Sequence, residues 1–150
     1  MWPVLSGARA HLREHSDFQA AAYRRVFRHG VPERCARIHD FGGWYRPDNF
    51  TVSEAQVDAV TRMLVVLGME HPQVTYAPVV PDYVFLLHTY MSEVEAFAAA
   101  SLMIAGALKA DFHFGASRAA YVQMMAVFDI LLKEREPDLH TRTQAVFADD

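Results

Sequence analysis

The sequence holds one cysteine, Cys35, in 150 residues. A single thiol excludes a disulfide framework and a cysteine-based zinc cluster, and it fits a reducing compartment. Long apolar runs are missing too. The longest nearly apolar stretch, 96–108, is about 13 residues, where a membrane-spanning helix needs roughly 20. It therefore reads as a buried helix. The opening Met1-Trp2-Pro3-Val4-Leu5 has no basic segment leading into an apolar run, so no secretory leader is expected. No GxxxxGK[ST] loop occurs, which excludes nucleotide binding by that route. Aromatics and arginines do not interleave on a strand pattern, so an RNA-binding sheet and a nucleic-acid partner are not expected.

What is present is a hydrophobic fraction of 52%, enough for a real core. The length fits one compact domain or part of a larger one. The net charge of −4 is unevenly spread. Residues 1–46 carry eight arginines against four acids, or +4, and the other 104 residues carry six basic and fourteen acidic side chains, or −8. A basic first third suits a phosphate-rich or acidic partner. The alternative is a solvated, arginine-rich helix surface.

Helical signals dominate, and the expected fold class is all-α, a multi-helix orthogonal bundle. Ser16 or Asp17 can cap a helix through Phe18, Ala21, Ala22, Val26 and Phe27, stopped by Gly30. Pro32 is placed to open a short helix. Gly42-Gly43 breaks the chain, and Arg46–Asn49 reads as loop. Ser53-Glu54-Ala55-Gln56 is a capping box, opening a helix with Val57, Val60, Met63, Leu64 and Leu67 on one face and an end near Gly68. A strand is conceivable at Val74–Ala77, but Pro78 and Pro81 favour a turn and then a helix. A second capping box, Ser92–Glu95, opens a helix that is apolar almost all round and therefore central. Asp111–Gly115 reads as loop. Ser117 caps a helix whose stripe Tyr121, Met124, Met125 and Phe128 reads as ordinary core, and a last helix covers Asp138–Phe147.

Chemistry-bearing residues do not name a function by themselves. His11 and His15 have a metal-sharing spacing but lack a third ligand, so they read as a surface pair and no metal is expected. His88 in an apolar helix reads as a hydrogen-bonded core histidine. Cys35 has no base beside it and reads as inert. Asn49-Phe50-Thr51 fits the glycosylation pattern, which goes unused without a leader.

The order of segments resembles a TBC domain, the all-helical domain of Rab GTPase-activating proteins. Trp2-Pro3-Val4-Leu5-Ser6-Gly7 resembles the family's W-x-x-L-L-G. Arg62-Met63-Leu64 through Pro72-Gln73-Val74-Thr75-Tyr76 resembles R-I-L … N-P-x-V-G-Y-C-Q-G-M-N. Tyr90–Phe97 resembles M-S-E-E-x-A-F-W, while Asp111–Phe114 and Pro137-Asp138-Leu139-His140 resemble later blocks. The resemblance implies that residues 1–150 form a partial TBC-like domain, its N-terminal part, with no cofactor and a Rab-family small GTPase as partner.

In active members an arginine from I-x-x-D-x-x-R neutralises charge on the transferring phosphoryl group, and a glutamine from Y-x-Q orients the attacking water. Asp40 matches the first motif, but the arginine position falls on Gly43 and the isoleucine position on Arg37. Arg46 lies three residues later and serves as a finger only if the loop shifts. Tyr76 matches the second motif, but Pro78 takes the glutamine position. The pattern resembles catalytically degenerate members of the family, which implies a regulator or adaptor in vesicle traffic rather than an enzyme. It also implies phosphoinositide binding by a cationic pocket, with Arg24, Arg25 and Arg28 as candidates. The expected location is cytoplasmic, with peripheral attachment to vesicle or endosomal membranes. The alternatives are an active GTPase-activating protein using Arg46 and a helical scaffold unrelated to GTPases.

Overall fold

A computed structural model describes residues 7–35, 39–43, 52–108 and 116–148. Seven helices occur among the described residues: α1 (Ala8–Glu14), α2 (Phe18–Val26), α3 (Glu54–Glu70), α4 (Val80–Tyr90), α5 (Glu93–Leu108), α6 (Arg118–Arg135) and α7 (Pro137–Ala148). No strand occurs among them, so Val74–Ala77 is irregular chain. No helix there is long and apolar enough to cross a membrane.

Local chemistry sets most helix starts. Both halves of the Ser53 capping box form: the Gln56 N–H donates to Ser53 Oγ at 3.3 Å and the Ser53 N–H to Gln56 Oε1 at 2.9 Å. The Ser92–Glu95 box forms likewise, each N–H donating at 3.4 Å. Ser117 Oγ accepts from the Ala120 N–H at 3.3 Å. Pro81 sits in the first turn of α4, where its missing N–H costs nothing. Asp17 precedes α2 without a side-chain cap, because its carboxylate turns to Arg24 instead. Pro32 opens no helix: residues 31–35 are irregular. Helix α3 runs past Gly68, where a Cβ would overlap the His39 ring. That glycine admits a neighbouring segment rather than ending the helix. The expected loops at Arg46–Asn49 and Asp111–Gly115, the Asn49 sequon and the Trp2–Ser6 motif residues lie outside the described residues.

Helix α5 is the centre, as its all-round apolar sequence requires. Ala96, Phe97, Ala98, Ala99, Ala100 and Ile104 are all buried, and α1, α2, α3 and α4 pack against it. The alanines let neighbouring backbones come close. Phe97 fills the space towards α2, its ring 5.7 Å from Phe18 and 5.6 Å from Tyr23. Met63, Leu64 and Leu67 of α3 and Val84 and Phe85 of α4 complete the core. Helix α6 departs from expectation. Its stripe was expected in the core, yet the helix has no buried residue, and Met124, Met125 and Phe128 are exposed. It packs chiefly on α7 and meets the remaining body near its first turn. His88 also differs: it is half-buried, and its Nδ1 is buried with no hydrogen-bond partner among the described residues.

At the end of α3, His71 shares a hydrogen bond of 3.1 Å with Ser101 Oγ on α5. Burial outweighs the nearby Glu70 charge and lowers its pKa below the ordinary 6.5. The folded state then binds fewer protons than the unfolded one, so this contribution is present above pH 6.5 and is lost as pH falls towards the folded value. His71→Gln, which cannot titrate, is expected to lose less stability than the native chain as pH falls below 6.5, read from urea midpoints. Phe97→Ala is expected to cost about 3–5 kcal/mol in the same assay. Near-native stability in that variant would contradict the central position of α5.

Candidate functional site

Two segments far apart in sequence meet at one place. The first is the turn Asp40–Gly43. The Gly43 N–H donates to the Asp40 carbonyl at 2.9 Å, and Phe41 and Gly42 have φ of 53° and 75°. Positive φ at both central residues is the mirror-image turn. Asp40 Oδ1 accepts from the Gly42 N–H at 3.0 Å and braces the bend. A left-handed phenylalanine costs of order 1–3 kcal/mol, and complete burial of its ring, edge-on to His39 at 4.3 Å, offsets that cost.

The second segment is Val74–Pro78. The Ala77 N–H donates to the Phe41 carbonyl at 2.7 Å, joining the two. On its other side the Thr75 N–H donates to the Ala116 carbonyl at 2.9 Å, and the Tyr76 ring stands 5.3 Å from that of Tyr121. Gly43 is buried directly against Pro78. A Cβ on Gly43 would lie 2.6 Å from the Pro78 carbonyl oxygen and 2.7 Å from its Cα. One on Gly42 would enter the Tyr76 ring. The four motif positions Asp40, Gly43, Tyr76 and Pro78 therefore form one cluster. Neither Gly43 nor Pro78 supplies a side chain that could donate a hydrogen bond or neutralise charge. Arg46 and Arg37 lie outside the described residues.

A second feature is an open cleft of about 790 Å³ between α2, the chain after it, and the first turns of α5. Arg24, in the last turn of α2, and Arg28, in the chain just after it, both line it. Arg25 faces elsewhere, gripped by Glu70 with contacts of 3.0 and 2.5 Å. Of the three candidate arginines, two therefore share the cleft. Arg62 of α3 is a third cationic lining residue that sequence reasoning did not single out. Its guanidinium donates to the Glu33 carbonyl at 3.0 Å and lies 3.5 Å from Glu93, whose other oxygen accepts from Tyr23 Oη at 2.8 Å. Burial, then the Glu93 charge, push the Tyr23 phenol far above its ordinary value. It remains a neutral donor that fixes Glu93.

The basic first third resolves mostly into internal pairing. Arg9 meets Glu95, Arg25 meets Glu70, and Arg34 meets Glu54 and Asp58. Arg28 makes no ion pair among the described residues and is free to meet a ligand. Cys35 is half-buried, and burial raises its thiol pKa, which disfavours the thiolate. The rings of His11 and His15 lie 4.8 Å apart, but no group of three potential metal ligands occurs among the described residues. No family model, no curated protein and no solved structure matches the chain.

The fit of Gly43 against Pro78 makes a direct prediction. Gly43→Ala must push the turn off Pro78 and is expected to cost about 1–3 kcal/mol, measured by urea unfolding. Unchanged stability would mean that the two segments are not held together.

Proposed function

We propose that the chain is a TBC-like interaction module for a Rab-family small GTPase that does not accelerate GTP hydrolysis. The observation that carries this reading is the meeting of Asp40–Gly43 with Tyr76–Pro78. These are the positions the resemblance assigns to the arginine and glutamine fingers, and they lie side by side although more than thirty residues separate them. Phosphoryl-transfer acceleration needs a cation on the developing charge and a group that orients water, the cation alone being worth about 10³–10⁵ in rate. Glycine and proline offer neither.

The cleft adds an anionic ligand to the proposal. Arg24 and Arg28 suit a phosphoinositide headgroup, whose phosphates arginine binds in a bidentate fork. Attachment would then be peripheral and reversible, at about 1 kcal/mol per arginine near the surface.

The test is single-turnover GTP hydrolysis across a panel of Rab proteins, with binding measured in parallel and circular dichroism as the folding control. The expected outcome is binding to at least one Rab with no acceleration. Acceleration that Arg46→Ala abolishes would instead make the chain an active GTPase-activating protein. A folded chain that binds no Rab would leave the unrelated helical scaffold. For the lipid part, Arg24→Ala with Arg28→Ala is expected to weaken binding to phosphoinositide liposomes by roughly 30-fold. Arg25→Ala, on the other face, is expected to leave it nearly unchanged.

A further inference from the structure

Arg62 differs from the other two arginines that line the cleft. Its side chain is 17% exposed, against 68% for Arg24, and Arg28 is exposed as well. A guanidinium carries five N–H donors in a planar fork. Among the described residues Arg62 uses one of them in a hydrogen bond, to the Glu33 carbonyl at 3.0 Å. Glu93 stands 3.5 Å from another of its nitrogens, outside the about 2.7–2.9 Å of a charge-assisted hydrogen bond. A mostly buried cation with open donors beside a cavity suits the oxygens of an anion.

What holds Glu93 back lies on α2. Tyr23 is 6% exposed, and its Oη donates to Glu93 Oε1 at 2.8 Å. The carboxylate is therefore divided between two partners, held closely by the phenol and loosely by the cation. Tyr23, Arg62 and Glu93 belong to α2, α3 and α5, which pack against one another. The balance is set by how the Glu93 side chain turns. A carboxylate that closed on Arg62 would take the donors that a phosphate needs, because both bind the same fork in the same way.

We propose that Arg62 is the specificity-determining contact of the cleft for a phosphate group, and that Tyr23 is a positioning residue that keeps Glu93 from taking the phosphate's place. This rests on the reading that the cleft takes an anionic ligand. Arg24 and Arg28, being exposed, attract anions in general, whereas Arg62 meets only a phosphate that enters the cleft.

The test is calorimetric titration of soluble inositol trisphosphate into the full chain, with circular dichroism and urea midpoints as folding controls. Liposomes carrying phosphatidylinositol bisphosphate form a second arm. Arg62→Lys keeps the charge and loses the fork, and is expected to weaken binding about tenfold. Glu93→Gln removes the competing charge and is expected to tighten it about fivefold. Tyr23→Phe frees Glu93 to close on Arg62 and is expected to weaken it about fivefold. Tyr23→Phe combined with Glu93→Gln is the deciding variant. It is expected to bind as tightly as Glu93→Gln alone, because no carboxylate is left to release. If the double variant stays as weak as Tyr23→Phe, the phenol touches the ligand itself or serves the fold, and the proposal is overturned. Indifference of binding to Arg62→Lys or to Tyr23→Phe would overturn it too, as would binding to the liposomes without binding to the soluble headgroup. Native binding that Arg24→Ala with Arg28→Ala weakens, but Tyr23→Phe does not, removes this inference alone. A folded native chain that binds in neither arm removes the anionic reading of the cleft along with it.

Discussion

The rest of the structure depends on burying α5. A helix with no polar face beyond its first turn has no stable place at a surface, so it must be enclosed. Helices α1 to α4 enclose it, and the run Ala96–Ala100 lets them come close. Phe97 is the exception among those small side chains, and its ring orders α2 through Phe18 and Tyr23. The capping box at Ser92 and the ion pair of Glu95 with Arg9 keep the polar groups at the edge of this arrangement.

Enclosure also explains the charge distribution. Of the six described arginines of the first third, Arg9, Arg25 and Arg34 become partners of acids farther along the chain, and Arg24 pairs locally with Asp17. Exposed pairs of this kind contribute at most about 1 kcal/mol each, so they orient more than they stabilise. The Tyr23–Glu93–Arg62 group is different, because its members are partly buried and each is satisfied by another. It builds one wall of the cleft that Arg24 and Arg28 also line.

The turn at Asp40–Gly43 shows how backbone geometry constrains what the site can do. Its glycines are needed for contact: Gly42 faces the Tyr76 ring and Gly43 faces the Pro78 backbone. A larger side chain at position 43 would have to open the turn before it could reach any ligand. An arginine there would therefore cost the very apposition that makes these positions neighbours. The chemical gap at Gly43 and Pro78 and the tight packing between them are thus one feature.

The sequence by itself determined the local features. The Ser53, Ser92 and Ser117 caps, the helix opening near Pro81, the all-α class and the central place of α5 were legible because each rests on hydrogen bonds or apolar periodicity within a few residues. The candidates Arg24, Arg25 and Arg28 were legible only as a group, and the departure of Arg25 to Glu70 was not. Tertiary structure alone brought Arg62 to the cleft, set Gly43 on Pro78, used Gly68 to admit His39 and left Phe128 in solvent. Periodicity states that a helix face is apolar but not what lies against it. Those outcomes are contacts between residues roughly thirty or more positions apart, or the lack of them. They are decided by how helices pack around α5, which no local pattern encodes.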